Sequence, residues 1–86
     1  MIIEYPVLTE KAVGMIEKEN KLVFVVNKKA TKEEIKKDFE KLYEVKVESI
    51  TTVNTHKGVK RAYLKLKPEF KAVDLATKLN IMWNYG

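Results

Sequence analysis

At 86 residues the chain has room for one hydrophobic core and not for two. Its 34% of charged residues, with three Gly, two Pro and no Cys, exclude a low-complexity chain, a disulfide framework and a thiolate metal site. Seventeen basic residues, of which only Arg61 is arginine, outnumber twelve acids and leave a formal charge of +5. That balance favours a nucleic-acid or anionic-surface partner, with plain solubility as the simpler explanation. No apolar run approaches the roughly twenty residues needed to span a bilayer, and no secretory signal pattern opens the chain. An intracellular protein without membrane insertion is expected.

Residues 2–5 form a short apolar stretch stopped by Pro6, a pattern for a brief edge strand. Thr9 then caps a helix from 10 to about 18, with Ala12, Val13 and Ile16 inward. Gly14 weakens this helix by about 1 kcal/mol relative to Ala, or admits a closely packed neighbour. Asn20 closes it. The run Leu22-Val23-Phe24-Val25-Val26 does not alternate and predicts a strand buried on both faces, with helices or chain above and below.

A second helix is expected from 32 to about 43, with Ile35, Phe39 and Leu42 as its core stripe. Residues 45–54 predict a strand whose apolar phase slips between Val47 and Ile50, the mark of a bulge or a later start. Thr55-His56-Lys57-Gly58 reads as a hairpin turn, and 60–66 as the returning strand, with Ala62, Leu64 and Leu66 on one face and Arg61, Tyr63 and Lys65 on the other. Pro68 fits the first turn of a last helix with Phe70, Ala72, Val73, Leu75, Ala76 and Leu79 on its apolar side. The predicted fold is α+β: a small antiparallel or mixed sheet of about four strands packed with three helices, in one domain over residues 1–86.

The most informative segment is Asn27-Lys28-Lys29-Ala30-Thr31-Lys32-Glu33-Glu34-Ile35-Lys36-Lys37. Thr31 and Glu34 have the spacing of a capping box. Lys32 and Lys36 lie one turn apart, where like charges cost a few tenths of a kcal/mol. Lys28 and Lys29 crowd a helix N-terminus that already repels cations. Positive charge gathered where the isolated fold disfavours it points to a polyanion. The hairpin adds a second cluster. Thr52, Asn54 and Thr55 can bond phosphate and 2′-hydroxyl oxygens, Lys57, Lys60 and Arg61 supply charge, and Gly58 admits a close backbone approach.

Catalysis finds little support. One His and no Cys leave few nucleophile–base pairs, and His56, in a turn beside Lys57, suits solvent or RNA stacking better than base catalysis. No metal-ligand spacing and no cofactor motif appears. The pairs Glu33/Glu34 and Glu17/Glu19 read as solvated helix surface. The strands lack an aromatic trio, so base stacking on an open sheet is not indicated, and Tyr63 reads as packing. Trp83 and Tyr85 near the C-terminus either close the core or dock on a neighbour.

These residues together resemble a known family. The run from Val26 to Lys36, then Phe39-Glu40-Lys41-Leu42-Tyr43-Glu44-Val45-Lys46-Val47, is similar to large-subunit ribosomal protein twenty-three. Leu8-Thr9-Glu10-Lys11-Ala12 upstream and Val53-Asn54-Thr55…Gly58…Lys60-Arg61-Ala62-Tyr63-Leu64 downstream agree in order and spacing. The resemblance implies a cytoplasmic, ribosome-bound structural protein that contacts large-subunit ribosomal RNA and neighbouring ribosomal proteins at the rim of the exit tunnel. It implies that Asn27, Lys28, Lys29, Thr31, Lys32, Lys36 and the hairpin face RNA. It also implies a docking surface for the signal recognition particle or other nascent-chain factors, with Glu10 as the matching contact. Bacterial members carry a long basic hairpin extension, and the turn between Asn54 and Arg61 is too short for it, so the chain resembles the compact archaeal form and trigger factor is not the expected partner. Two rival readings are a small phosphoryl-group hydrolase on a similar sandwich and a basic protein–protein adaptor.

Overall fold

Five consecutive apolar residues organise the molecule. In the computed structural model, which describes residues 2–55 and 57–78, they lie on β2 (Lys21–Val26), an interior strand of one antiparallel sheet. Its neighbours are the edge strand β1 (Ile3–Pro6) and β4 (Lys60–Leu66), and β3 (Val47–Asn54) pairs with the far side of β4. The strand order is β1-β2-β4-β3, with helices α1 (Glu10–Glu19), α2 (Lys32–Tyr43) and α3 (Ala72–Lys78) packed on it. This is the expected α+β arrangement.

The two faces of the sheet are covered unequally. Leu22, Phe24 and Val26 of β2 share one core with Ala62, Leu64 and Leu66 of β4 and with Ile16, Ile35, Phe39, Leu75 and Ala76 from the three helices. Val23 and Val25 are buried as well, but they stand outside that core cluster. They sit beside their β4 partners Tyr63 and Arg61, and Ala12 and Met15 from the start of α1 meet Val23, Arg61 and Tyr63 at a small pocket. Burial on both faces was legible in β2, and its asymmetry was not.

Local signals set the helix ends. The Thr9 hydroxyl accepts from the Ala12 N–H at 3.1 Å, as an N-cap requires. Asn20 ends α1 in the left-handed region at φ 56°, which Asn tolerates better than most residues. A Cβ built on Gly14 meets nothing within 4 Å, so close packing is not its role. Gly14→Ala is therefore expected to stabilise the fold by about 1 kcal/mol, measured as a higher urea midpoint with an unchanged m-value.

Three details depart from the sequence reading. Leu42 is 48% exposed and does not complete the α2 stripe. Tyr43 takes its place, with its ring 4.7 Å from Phe39 and 6.2 Å from Phe24, because the aromatic group decides which side of the last turn meets the sheet. The last helix starts at Ala72, not at Pro68. Asn20 causes the delay: its Nδ2 donates to the carbonyls of Leu66 at 3.2 Å and Phe70 at 2.9 Å, and its Oδ1 accepts from the Ala72 N–H at 2.6 Å. One side chain thus holds residues 67–70 as a turn and satisfies the first free N–H of α3. On that helix Ala72, Leu75 and Ala76 are buried but Val73 is exposed, and Phe70, in the turn before it, is half-buried. Leu79, Trp83 and Tyr85 lie outside the described residues.

The β3 expectation holds in both its forms. The strand starts late, at Val47, and its register shifts between Val47 and Ser49. Glu40 of α2 accepts the Val47 N–H at 2.7 Å, occupying a donor next to that irregularity.

Candidate nucleic-acid interface

Antiparallel register determines which charges meet. Val26 at the end of β2 pairs with Lys60 at the start of β4, and Lys60 also pairs with Asn54 at the end of β3. The exit from β2 and the β3–β4 turn therefore share one end of the sheet. After Val26 the chain turns tightly: the Ala30 N–H donates to the Asn27 carbonyl at 3.0 Å, and Asn27 Oδ1 accepts from the Lys29 N–H at 2.9 Å. Lys28 and Lys29 stand exposed on this turn. The capping box then starts α2, with the Glu34 N–H donating to the Thr31 hydroxyl at 3.2 Å and the Thr31 N–H donating to Glu34 Oε1 at 2.9 Å. These hydrogen bonds with Thr31 hold the Glu34 carboxyl below its usual range, and Lys60 adds a smaller attraction.

Lys60 links the two segments. Its Nζ donates to the Ala30 carbonyl at 2.6 Å, tying the base of the hairpin to the turn that launches α2. The hairpin closes through Thr55 N–H to the Val59 carbonyl at 2.8 Å and Gly58 N–H to the Thr55 carbonyl at 3.0 Å. Gly58 has φ 77°, a value that disfavours any residue with a Cβ. Asn27, Lys28, Gly58 and Lys60 line one shallow depression together with Glu4 and Tyr5. Among the described residues the ion pairs are Glu19 with Lys21 at 3.3 Å and Glu48 with Lys65 at 3.6 Å. Lys21 and Lys65 pair at the opposite end of the sheet, so among the described residues no lysine of the basic end is in an ion pair, and Lys60 feels only the weaker attraction of Glu34.

A model of the family described as ribosomal protein L23 matches residues 1–83. The chain belongs to the ribosomal protein L23 family. It is accordingly a structural constituent of the large ribosomal subunit, of a non-enzymatic class, and it associates with the RNA and proteins of that subunit. No helix among the described residues is long and apolar enough to cross a membrane.

In this L23 chain the residues singled out from sequence fall into groups. Lys28, Lys29 and Lys32 gather with Asn54, Lys57, Gly58 and Lys60 at the basic end, and Lys36 extends the group one turn along α2. Asn27 and Thr31 shape the turn and the cap more than they present free side chains, since Asn27 Oδ1 and the Thr31 hydroxyl both accept backbone N–H groups. Thr52 is half-buried and pairs with Ala62, which places it on the helix-bearing face. Thr55 is half-buried, and its hydroxyl accepts from the Val59 N–H at 3.3 Å. Arg61 alternates to the opposite face from Lys60 and lines a different cleft with Asn54, Thr55 and Lys57. His56 lies outside the described residues. Glu10 is exposed at the start of α1, on a separate element from the lysines.

Sequence reasoning missed Tyr5, which is 54% exposed and lines the same cleft as Arg61. Alternation from buried Ile3 would turn Tyr5 into the core. A register shift between Ile3 and Tyr5 instead pairs it with Val25 on the second face. A bulge of this kind re-aims side chains, and Pro6 was its only hint in the sequence.

Proposed function

We propose that the basic end of this molecule binds large-subunit ribosomal RNA directly, near the polypeptide exit tunnel, and that the exposed side of α1 around Glu10 is a docking surface for nascent-chain factors such as the signal recognition particle. The observation that carries the first part is the Lys60–Ala30 hydrogen bond, which fuses the Lys28, Lys29, Lys32 cluster and the hairpin cluster into one patch. Such a patch suits recognition of folded RNA by shape and phosphate position, with Gly58 letting backbone approach backbone. Asn54, Lys57, Gly58 and Lys60 form the groove-facing part, and Lys36 reaches a further phosphate. Glu10 sits on a different element, so one molecule can hold RNA and a factor together. The hairpin, closed between Thr55 and Val59, is too short to extend along the tunnel, in keeping with a compact archaeal-type member. On this reading residues 1–86 act as a single RNA-binding domain in the cytoplasmic ribosome.

Ultraviolet crosslinking in assembled large subunits, mapped to residues, tests the proposal. Ribosomal RNA crosslinks are expected at 27–36 and 54–61 and absent from the exposed face of α1. Crosslinks confined to α1 or α3 would reject it.

A further inference from the structure

The second face of the sheet holds an open cleft of about 740 Å³, inside the roughly 300–1,000 Å³ range of small-ligand sites. Its lining combines two chemistries. Tyr5, Val25 and Val59 offer flat or apolar surface, whereas Asn54, Lys57 and Arg61 supply amide, ammonium and guanidinium groups. Among the described residues no carboxylate lines it. Tyr5 is the exposed aromatic of the described residues, set there by the β1 register shift. Arg61, the one arginine in a chain otherwise served by lysine, keeps its Nε buried with no hydrogen-bond partner among the described residues. That atom is closed to solvent, so the rest of the guanidinium is what the cleft offers to a ligand oxygen or ring nitrogen.

A ligand matching this lining has a planar heterocycle for Tyr5 and an anionic or acceptor group for Arg61. Duplex backbone alone would leave the tyrosine and valines unused, and an acidic peptide would lack the flat ring. We propose that the cleft receives a single unstacked nucleotide of the bound RNA, its base against Tyr5 and its phosphate or acceptor edge on Arg61. This rests on the reading that the hairpin end binds RNA, because Asn54, Thr55 and Lys57 belong to both surfaces. The lysine patch then supplies charge-dependent affinity, and the cleft supplies a contact that depends on an unpaired, splayed-out base.

The experiment uses the full chain and protein-free large-subunit ribosomal RNA, with affinities measured over a series of salt concentrations for wild type, Tyr5→Ala, Tyr5→Phe and Arg61→Lys. Thermal melts establish that each variant folds, as exposed Tyr5 allows. Stacking on one base corresponds to roughly a five- to one-hundred-fold loss for Tyr5→Ala. Its salt slope should match wild type, because no phosphate contact is lost. Tyr5→Phe should retain affinity. Arg61→Lys should weaken binding with its slope kept, since an ammonium carries the charge but not the guanidinium fork. If Tyr5→Ala binds as tightly as wild type while RNA affinity still falls with salt, the cleft proposal fails and the RNA-binding reading stands. If wild type shows no salt-dependent affinity for this RNA, both fail. If Tyr5→Ala disturbs only association with a neighbouring ribosomal protein, the cleft is a peptide site and the proposal is overturned.

Discussion

Replacing Phe39 by Ala is expected to cost about 3–5 kcal/mol of folding stability. Phe39 is fully buried on α2, its ring centroid 5.5 Å from Phe24 and 4.7 Å from Tyr43 in edge-on arrangements. Truncation would remove a large apolar transfer term, open a cavity beneath the helix, and lose aromatic pairing worth about 0.5–1.5 kcal/mol beyond area. Small domains are marginal, with roughly 5–15 kcal/mol in all, so the loss would take a large share of the total. Leu42→Ala on the same helix is the internal control: at 48% exposure it should cost well under about 1 kcal/mol. Urea unfolding followed by far-ultraviolet circular dichroism reads both. Equal losses at the two positions would mean that α2 is rotated from the orientation described above.

The contrast between these two residues shows where sequence periodicity stops. Spacing from Ile35 makes Phe39 and Leu42 equivalent, and only the Phe24–Phe39–Tyr43 group distinguishes them. That group depends on a contact between α2 and β2, which no window of the sequence contains. Local signals fared better. The Thr9 cap, the Thr31–Glu34 capping box, the alternation of β4 and the phase slip near Val47 are each settled within a few residues, and each appears in the structure. Pro68 misled because a distant side chain overrode it: Asn20 reaches across from the end of α1 to Leu66, Phe70 and Ala72.

The candidate site divides along the same line. Both basic clusters were visible as runs, since a capping box, a hairpin turn and their lysines are sequential features. Their union was not, because it follows from Val26, Lys60 and Asn54 sharing a register position across three strands. The separation of Arg61 from Lys60 was implicit in strand alternation, which placed Arg61 with Tyr63 and away from Ala62. The basic residues nevertheless read as one list until the sheet gave them two sides. Tyr5 was marked only by the neighbouring Pro6, because a one-residue shift in a four-residue edge strand reverses its face.

The second large effect concerns charge. Changing Lys28, Lys29 and Lys32 together to Gln is expected to make the log–log salt dependence of affinity for large-subunit ribosomal RNA shallower by roughly two to three units, at about 0.7–0.9 per phosphate neutralised. The fold should survive the change. All three side chains are exposed, they crowd the N-terminus of α2, where cations are unfavourable, and removing Lys32 relieves its one-turn repulsion with Lys36. Stability should therefore stay the same or rise by a few tenths of a kcal/mol, which separates a binding defect from unfolding. Lys60 is left intact because its ammonium also holds the Ala30 carbonyl, and replacing it would loosen the joint between turn and hairpin. A matched triple change of Lys11, Lys18 and Lys41, on other exposed helix surfaces, lowers net charge equally and should leave the slope near wild type. Should both triple variants flatten the slope alike, the affinity would follow total charge and not placement. The arrangement of lysines at the end of the sheet would then have no part in choosing RNA as the partner.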